Sequence, residues 1–224
     1  MNMSINIAID GPAGAGKSTI ARAAAAKLGF IYVDTGALYR SIAYYALSKG
    51  ADVKDAKAVE SLLPEIRTEL RFIDGVQHVF VNDEDVSGKI RTPEVSMGAS
   101  AVSAIPAVRA FLFDLQKKIA AENNVIMDGR DIGTVVLPNA QLKIFLTASP
   151  EARADRRYAE LKDKPDAPTY ESVLADIIKR DHDDSTRAIA PLKQAEDAVL
   201  FDTTALTLEE SVEKITAMIR DTAE

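Results

Sequence analysis

Seven small residues around one lysine constrain this chain more than anything else in it. Residues 11–18 read Gly11, Pro12, Ala13, Gly14, Ala15, Gly16, Lys17 and Ser18, which fits G-x-x-x-x-G-K-[ST]. The octet follows a short apolar run, Ile5–Asp10, and precedes an alanine-rich stretch, Thr19–Leu28, that closes at Gly29. Strand, glycine-rich turn and helix in that order make a phosphate cradle. Small side chains let the backbone wrap an anion, and successive N–H groups and the helix N-terminus point at its oxygens. Residues Gly11 to Thr19 are therefore expected to hold the phosphates of ATP. Lys17 would reach the β- and γ-phosphates, and the Ser18 hydroxyl would ligate the Mg²⁺ that bridges them. A cradle alone fits kinases, GTPases and motor ATPases alike.

The flanking pattern sets the fold class. Phe30–Asp34 is a second apolar run ending in aspartate, and Ala37–Lys49 has helical spacing and ends at Gly50. This alternation predicts an α/β fold of the P-loop NTPase type, a parallel β-sheet flanked by helices. Between Thr68 and Asp85 the period changes, with Asp74-Gly75 separating two alternating runs, a hairpin signal. A small antiparallel β subdomain is thus inserted in the sheet-and-helix core, roughly over residues 65–95. Later segments read as a helix at Pro106–Glu122, strands at Val125–Asp128 and Leu142–Thr147, and a helix at Pro150–Lys162. A polar loop with two prolines spans Lys162–Thr169, followed by a helix at Tyr170–Asp181, a strand at Ala198–Asp202 and a closing helix at Leu208–Arg220.

Composition narrows the chemistry. The 224 residues allow one core carrying an insertion. A net charge of −7 supplies no basic field for nucleic acid, so any bound anion needs a local cluster of donors. There is no cysteine, and the two histidines are His78 and His182, which argues against disulfides, thiolate metal sites and a histidine-rich zinc site. No apolar stretch is long enough to span a bilayer, and the N-terminus lacks the apolar core of a signal peptide, so a cytoplasmic setting is expected.

In an open parallel sheet, ligands sit outside the carboxyl ends of the strands. Thr35 and Arg40 follow the second strand, and Asp128, Arg130 and Asp131 end the third, so all five should face the cradle. Asp128 either caps a loop or reaches Mg²⁺ through a water. Arg109 opens a helix, Arg153 and Arg157 lie four apart on another, and Arg180 and Arg187 flank Asp181, Asp183 and Asp184. Arginine's planar fork suits phosphate, whereas Arg22, Arg67 and Arg71 read as solvated surface charges. Phosphoryl transfer is mostly alignment and charge stabilisation, which a ring of guanidinium groups provides. The residues thus point to a kinase of a small phosphorylated acceptor.

Along nearly its whole length the chain resembles the bacterial cytidylate kinases, a family of P-loop nucleoside monophosphate kinases. The resemblance is carried by IAIDGPAGAGKST, DTGALYR, DVSGKIRTPEV, DGRDIGTVV and RDHDDSTRAIAPL. It implies transfer of the γ-phosphoryl group of ATP to CMP or dCMP, with Mg²⁺, by a monomer that binds neither nucleic acid nor membrane. It implies a core at about 1–60 and 100–224, an acceptor-binding insertion at about 61–99 and a short lid at about 153–169. Thr35, Arg40 and Arg130 would hold the acceptor phosphate. Ser100, Arg109 and Arg187 would read cytosine, and Asp131, Arg180 and Asp184 would hold the sugar. Lys17 and Arg130, with Arg153 and Arg157 of the lid, would serve the transferring phosphoryl group. Many members carry serine where this chain has Thr35; the hydroxyl is kept, and the added methyl bears on acceptor fit. Only the resemblance supplies cytosine. From spacing alone, CMP, UMP and AMP are equivalent, and rival readings are a metabolite kinase such as shikimate kinase or a GTP-dependent switch. Lid and insertion are each expected to close when acceptor and ATP are bound, which would keep water from ATP.

Overall fold

The computed structural model describes residues 4–163 and 167–223. Residues 164–166, inside the expected lid loop, lie outside the described residues. Five short strands form a parallel sheet in the order β2 (Ile31–Asp34), β6 (Val125–Gly129), β1 (Asn6–Asp10), β7 (Leu142–Thr147), β8 (Val199–Asp202). The apolar runs of β1, β2, β6 and β7 are largely buried, as a helix-covered parallel sheet requires, whereas the edge strand β8 leaves Val199 and Leu200 exposed. Ile7, Ile9, Ile126, Ile144 and Leu146 face α1 (Lys17–Leu28) and α8 (Leu208–Ala223). Ala8, Val33, Val125 and Met127 face α5 (Pro106–Glu122). Each fully buried aliphatic side chain here contributes about 1.5–3 kcal/mol.

The parallel register brings three acids to one end of the sheet. Asp34 is the register partner of Asp128, and Asp10 pairs with Gly129 on one side and Phe145 on the other. The sheet therefore presents carboxylates where the turn after β1 and the start of α2 (Thr35–Ser48) emerge.

The insertion is a three-stranded antiparallel sheet, β3 (Thr68–Ile73), β4 (Val76–Val81) and β5 (Glu84–Asp85). Asp74 and Gly75 both have positive φ, 51° and 75°, the two-residue turn whose twist matches the strands. Val79 and Val81 share a core with α2, with α3 (Ala56–Leu62) and with α4 (Pro93–Ser103). The expected edges at about 61 and 99 fall inside α3 and α4. Neither helix was foreseen. α4 reads PEVSMGASAVS, poor in strong helix formers, and its small residues serve packing instead. A Cβ added at Gly98 would lie 3.2 Å from that of Ala43, so α4 lies close against α2.

The final third also departs from expectation. α6 (Pro150–Leu161) and α7 (Tyr170–Thr186) pack on each other through Ala154, Val173 and Ile177, with Tyr158 and Tyr170 edge to face at 6.0 Å. α7 runs on to Thr186 rather than ending at Asp181, so Asp183 and Asp184 are helical. Lys179 and Asp183, four apart and 2.5 Å from each other, support that added turn. Among the described residues no single helix is long and apolar enough to cross a membrane.

Candidate active site

The cradle is built on one close approach. Gly11 has φ 150°, and a Cβ there would sit 1.9 Å from the carbonyl oxygen of Leu146 on β7. Any side chain would push the loop off the sheet. At the other end, Gly16 precedes α1 in a left-handed conformation, with no side-chain cap and no acid in the first turn. α2, α4, α6 and α7 are each capped by a side chain, from Asp34, Thr92, Ser149 and Thr169. The first turn of α1 thus offers its N–H groups and positive dipole end to an anion.

Lys17 is buried and folds back over the loop, donating 2.7 Å bonds to the carbonyls of Gly11 and Pro12. Burial, followed by the charge of Arg130, lowers its pKa well below the ordinary lysine range. Ser18 donates to Asp128 Oδ2 at 2.7 Å, and Tyr32 donates to Asp128 Oδ1 at 3.3 Å. Burial and the neighbouring Asp34 carboxylate raise the Asp128 pKa. One sp³ hydroxyl beside one buried carboxylate is a donor set that suits Mg²⁺, which takes few protein oxygens and keeps phosphate and water for the rest.

Asp10 is a buried acid beside the cradle that the sequence motifs left unassigned, although an acid closing an apolar strand was its signal. Its carboxylate accepts from the backbone N–H of Ile132 at 2.8 Å and Gly133 at 2.7 Å. These bonds fix the wide helical turn Ile132–Val136 that follows Arg130 and Asp131. Burial raises the Asp10 pKa to about 6 against the opposing pull of those two donors.

The residues expected on the acceptor side come from several segments far apart in sequence. Thr35 is buried and donates to the carbonyl of Asp128 at 2.7 Å. Asp34 caps α2 by accepting from Ala37 N–H at 2.9 Å and holds Arg40 at 2.7 Å. Arg40 Nε is buried without a partner among the described residues. Arg91 stands 3.6 Å from the same aspartate. Arg130 donates through Nε to Asp184 at 2.7 Å, reaching across 54 residues to α7. Asp131 sits between two arginines: Arg109 on its Oδ2 and Arg187 on its Oδ1 at 3.3 Å. Asp131 therefore joins the arginines expected to read the base, rather than Arg180 and Asp184. Arg180 is exposed, within electrostatic reach of Arg130 and Asp184. Ser100 is half-buried on α4, one turn before Ser103, whose carbonyl accepts from Arg109 at 3.4 Å.

The two arginines of α6 are not equivalent. Arg153 is buried and fully engaged, donating to Ala148 O at 2.9 Å, to Ala13 O of the cradle at 3.0 Å and bidentately to Asp181 at 2.9 and 2.5 Å. It ties α7 to the cradle. Arg157 is 54% exposed and pairs with Glu160, one turn away. Beside Arg153 an open pocket of about 420 Å³ is lined by Pro12, Phe145, Ser149, Asp181 and Thr204. Arg67 and Arg71 make exposed ion pairs on the hairpin, and Arg22 lies 5.3 Å over the Tyr32 ring, as surface charges do.

Comparison with known proteins places this geometry among phosphoryl-transfer enzymes. The family model described as cytidylate kinase matches residues 7–221. A cytidylate kinase of Caldicellulosiruptor bescii is 52% identical over 211 residues, covering 94% of this chain and 93% of that protein. That of Carboxydothermus hydrogenoformans is 50% identical over 217 residues, covering 96% and 97%. Among solved structures, shikimate kinase from Bacteroides thetaiotaomicron matches with TM-score 0.50 at 15% identity, covering 96% of this chain and 98% of that one. A gluconokinase from Sinorhizobium meliloti matches with TM-score 0.50 at 14% identity, covering 99% and 94%. At these identities the two structures share the fold alone.

Proposed function

The chain belongs to the cytidylate kinase family, and from that premise we propose how its own residues move a phosphoryl group between two nucleotides. It is a nucleoside monophosphate kinase that transfers the γ-phosphoryl group of ATP to CMP or dCMP, giving CDP or dCDP. The observation that carries the assignment of parts is the double use of Asp128. Its side chain meets Ser18 of the cradle, while its main-chain carbonyl meets Thr35 of the acceptor side. Donor and acceptor halves are thus in register through one residue.

On the donor side, the cradle N–H groups and the start of α1 bind the β- and γ-phosphates. Lys17 exchanges the carbonyls of Gly11 and Pro12 for phosphate oxygens, which restores a full charge to its buried amine. Ser18 and Asp128 would hold Mg²⁺, Ser18 directly and Asp128 through a water. When bound, Mg²⁺ supplies neutralisation of the β- and γ-oxygens. Arg153, fixed to Ala13 and Asp181, keeps the cradle and α7 in one geometry, and Arg157 swings from its exposed pair to the transferring group.

On the acceptor side, Arg40 and Arg130 hold the acceptor phosphate, with Thr35 packed beneath it. A phosphate monoester has its second pKa near about 6, so it is ionised at neutral pH and needs no strong base. Its oxygen forms the new bond to the γ-phosphorus as the bond to the bridging β–γ oxygen breaks. Alignment of the two reactants supplies about 7–11 kcal/mol of barrier reduction. Arg109 and Arg187, held by Asp131, read the cytosine together with Ser100, while Arg180 and Asp184 hold the sugar. By the family resemblance, we assign the enzyme as a cytoplasmic monomer acting on free nucleotides.

The test is an acceptor panel with ATP and Mg²⁺. CMP and dCMP should be turned over well, and UMP, AMP and shikimate poorly. Equal turnover of AMP would remove the assignment of Arg109, Arg187 and Ser100 to the base.

A further inference from the structure

We propose that Gln77, on the inserted hairpin, is a positioning residue for acceptor-phosphate binding, acting through the main chain of Asp34. The proposal rests on the reading of Arg40 as a ligand of that phosphate. β2 is an edge strand of the parallel sheet, with β6 on one side only. Its last residue, Asp34, turns its main chain toward the hairpin rather than toward a further strand. There the Asp34 N–H donates to Gln77 Oε1 at 2.8 Å, and Gln77 Nε2 donates back to the Asp34 carbonyl at 3.4 Å. A side-chain amide thus pairs with one residue of β2 as a neighbouring strand would.

What Gln77 holds is the junction on which Arg40 depends. Asp34 caps α2 through Ala37 and carries Arg40 on Oδ2, with Arg91 3.6 Å away. Moving the Asp34 peptide moves both the carboxylate and the first turn of the helix that bears Arg40. The buried, unpartnered Nε of Arg40 is the donor that such a shift would misalign. Gln77 itself comes from β4, whose Val79 and Val81 are anchored in the core shared with α2 and α4. The hairpin is therefore coupled to the acceptor phosphate by a hydrogen-bonded relay of Gln77, Asp34 and Arg40, with no contact between Gln77 and the nucleotide required.

Steady-state kinetics of Gln77→Met tests this, because methionine keeps the length and removes both polar atoms. The KM for CMP should rise about tenfold, as both hydrogen bonds to the Asp34 main chain are lost and the longer one contributes little, with the KM for ATP unchanged. In an Arg40→Ala background, which by itself raises the KM for CMP, the same substitution should add almost nothing. His78→Ala, the next residue on β4, whose side chain pairs with Asp85, should leave the KM for CMP as in the wild type. An unchanged KM for CMP in Gln77→Met, equal rises for CMP and ATP, or full additivity with Arg40→Ala would overturn the proposal. So would a matching rise in His78→Ala. If Arg40→Ala leaves the KM for CMP unchanged, the site reading fails with it. If Arg40→Ala raises that KM and Gln77→Met does not, only the relay fails.

Discussion

The Ser18 hydroxyl donates a 2.7 Å hydrogen bond to Asp128 Oδ2, joining the first turn of α1 to the end of β6 across 110 residues of chain. Neither partner is placed by its neighbours in sequence. The parallel register of β1 and β6 sets Ile9 beside Asp128, so the carboxylate stands directly over the cradle.

Ser18 and Asp128 should therefore behave as one unit. Ser18→Ala and Asp128→Ala are each expected to lower kcat/KM at least about tenfold, and the double variant little further than the worse single one. A double variant whose loss is the product of the two would show that they act independently.

Gly36→Ala should harm catalysis without harming the fold. Gly36 lies in the first turn of α2, where alanine is the better helix former. Yet a Cβ there would stand 3.1 Å from Asp34 Oδ1 and 3.2 Å from an Arg40 guanidinium nitrogen. The expected outcome is an unchanged or raised Tm with a several-fold higher KM for CMP. A normal KM for CMP would mean that the Asp34–Arg40 pair does not set acceptor binding.

Asp10 makes a signed prediction about pH. Its pKa in the fold is raised to about 6 from 3.8, first by burial. The folded state then holds the proton more tightly than the unfolded chain. The contribution of Asp10 is fully present below about pH 4 and is lost as pH rises through about 6, amounting to about 3 kcal/mol at most. Asp10→Asn removes that dependence. Measured by denaturant unfolding without nucleotide, the variant should gain on the wild type between pH 4 and pH 7. A stability difference constant across that window would contradict the burial of a raised carboxylate.

Arg130→Ala should lower turnover at least about tenfold while the fold persists, since a charge-assisted contact is worth about 1.5–3 kcal/mol. It also removes the hydrogen bond from Arg130 to Asp184 of α7, so the effect should extend to the KM for CMP. Wild-type kinetics would remove Arg130 from the site.

Much of this was legible in the chain because it is local. The cradle, the apolar strands ending in acids and the Asp74-Gly75 turn each declare themselves within ten residues or so. Those local signals alone set Lys17, Ser18, Arg40 and Arg130 at one end of a parallel sheet. What was not legible is pairing across distance. That Asp131 serves Arg109 and Arg187, that Arg153 reaches Ala13, and that Gln77 binds the Asp34 backbone all depend on packing between segments far apart in sequence. α4 escaped for a related reason: its glycine, serines and valines weaken helix propensity, while the missing side chain at Gly98 lets it press against Ala43. The added turn of α7 escaped because its polar run is stabilised by partners such as Arg130 rather than by an apolar stripe.

The central claim is that one crevice holds both polyanions head to tail. Calorimetric competition with a single molecule, adenosine joined to cytidine through a pentaphosphate, tests it most directly. One equivalent per chain should displace both an ATP analogue and CMP, and both Lys17→Ala and Arg40→Ala should weaken its binding. Displacement of only one nucleotide, or binding of two equivalents per chain, would contradict the shared crevice.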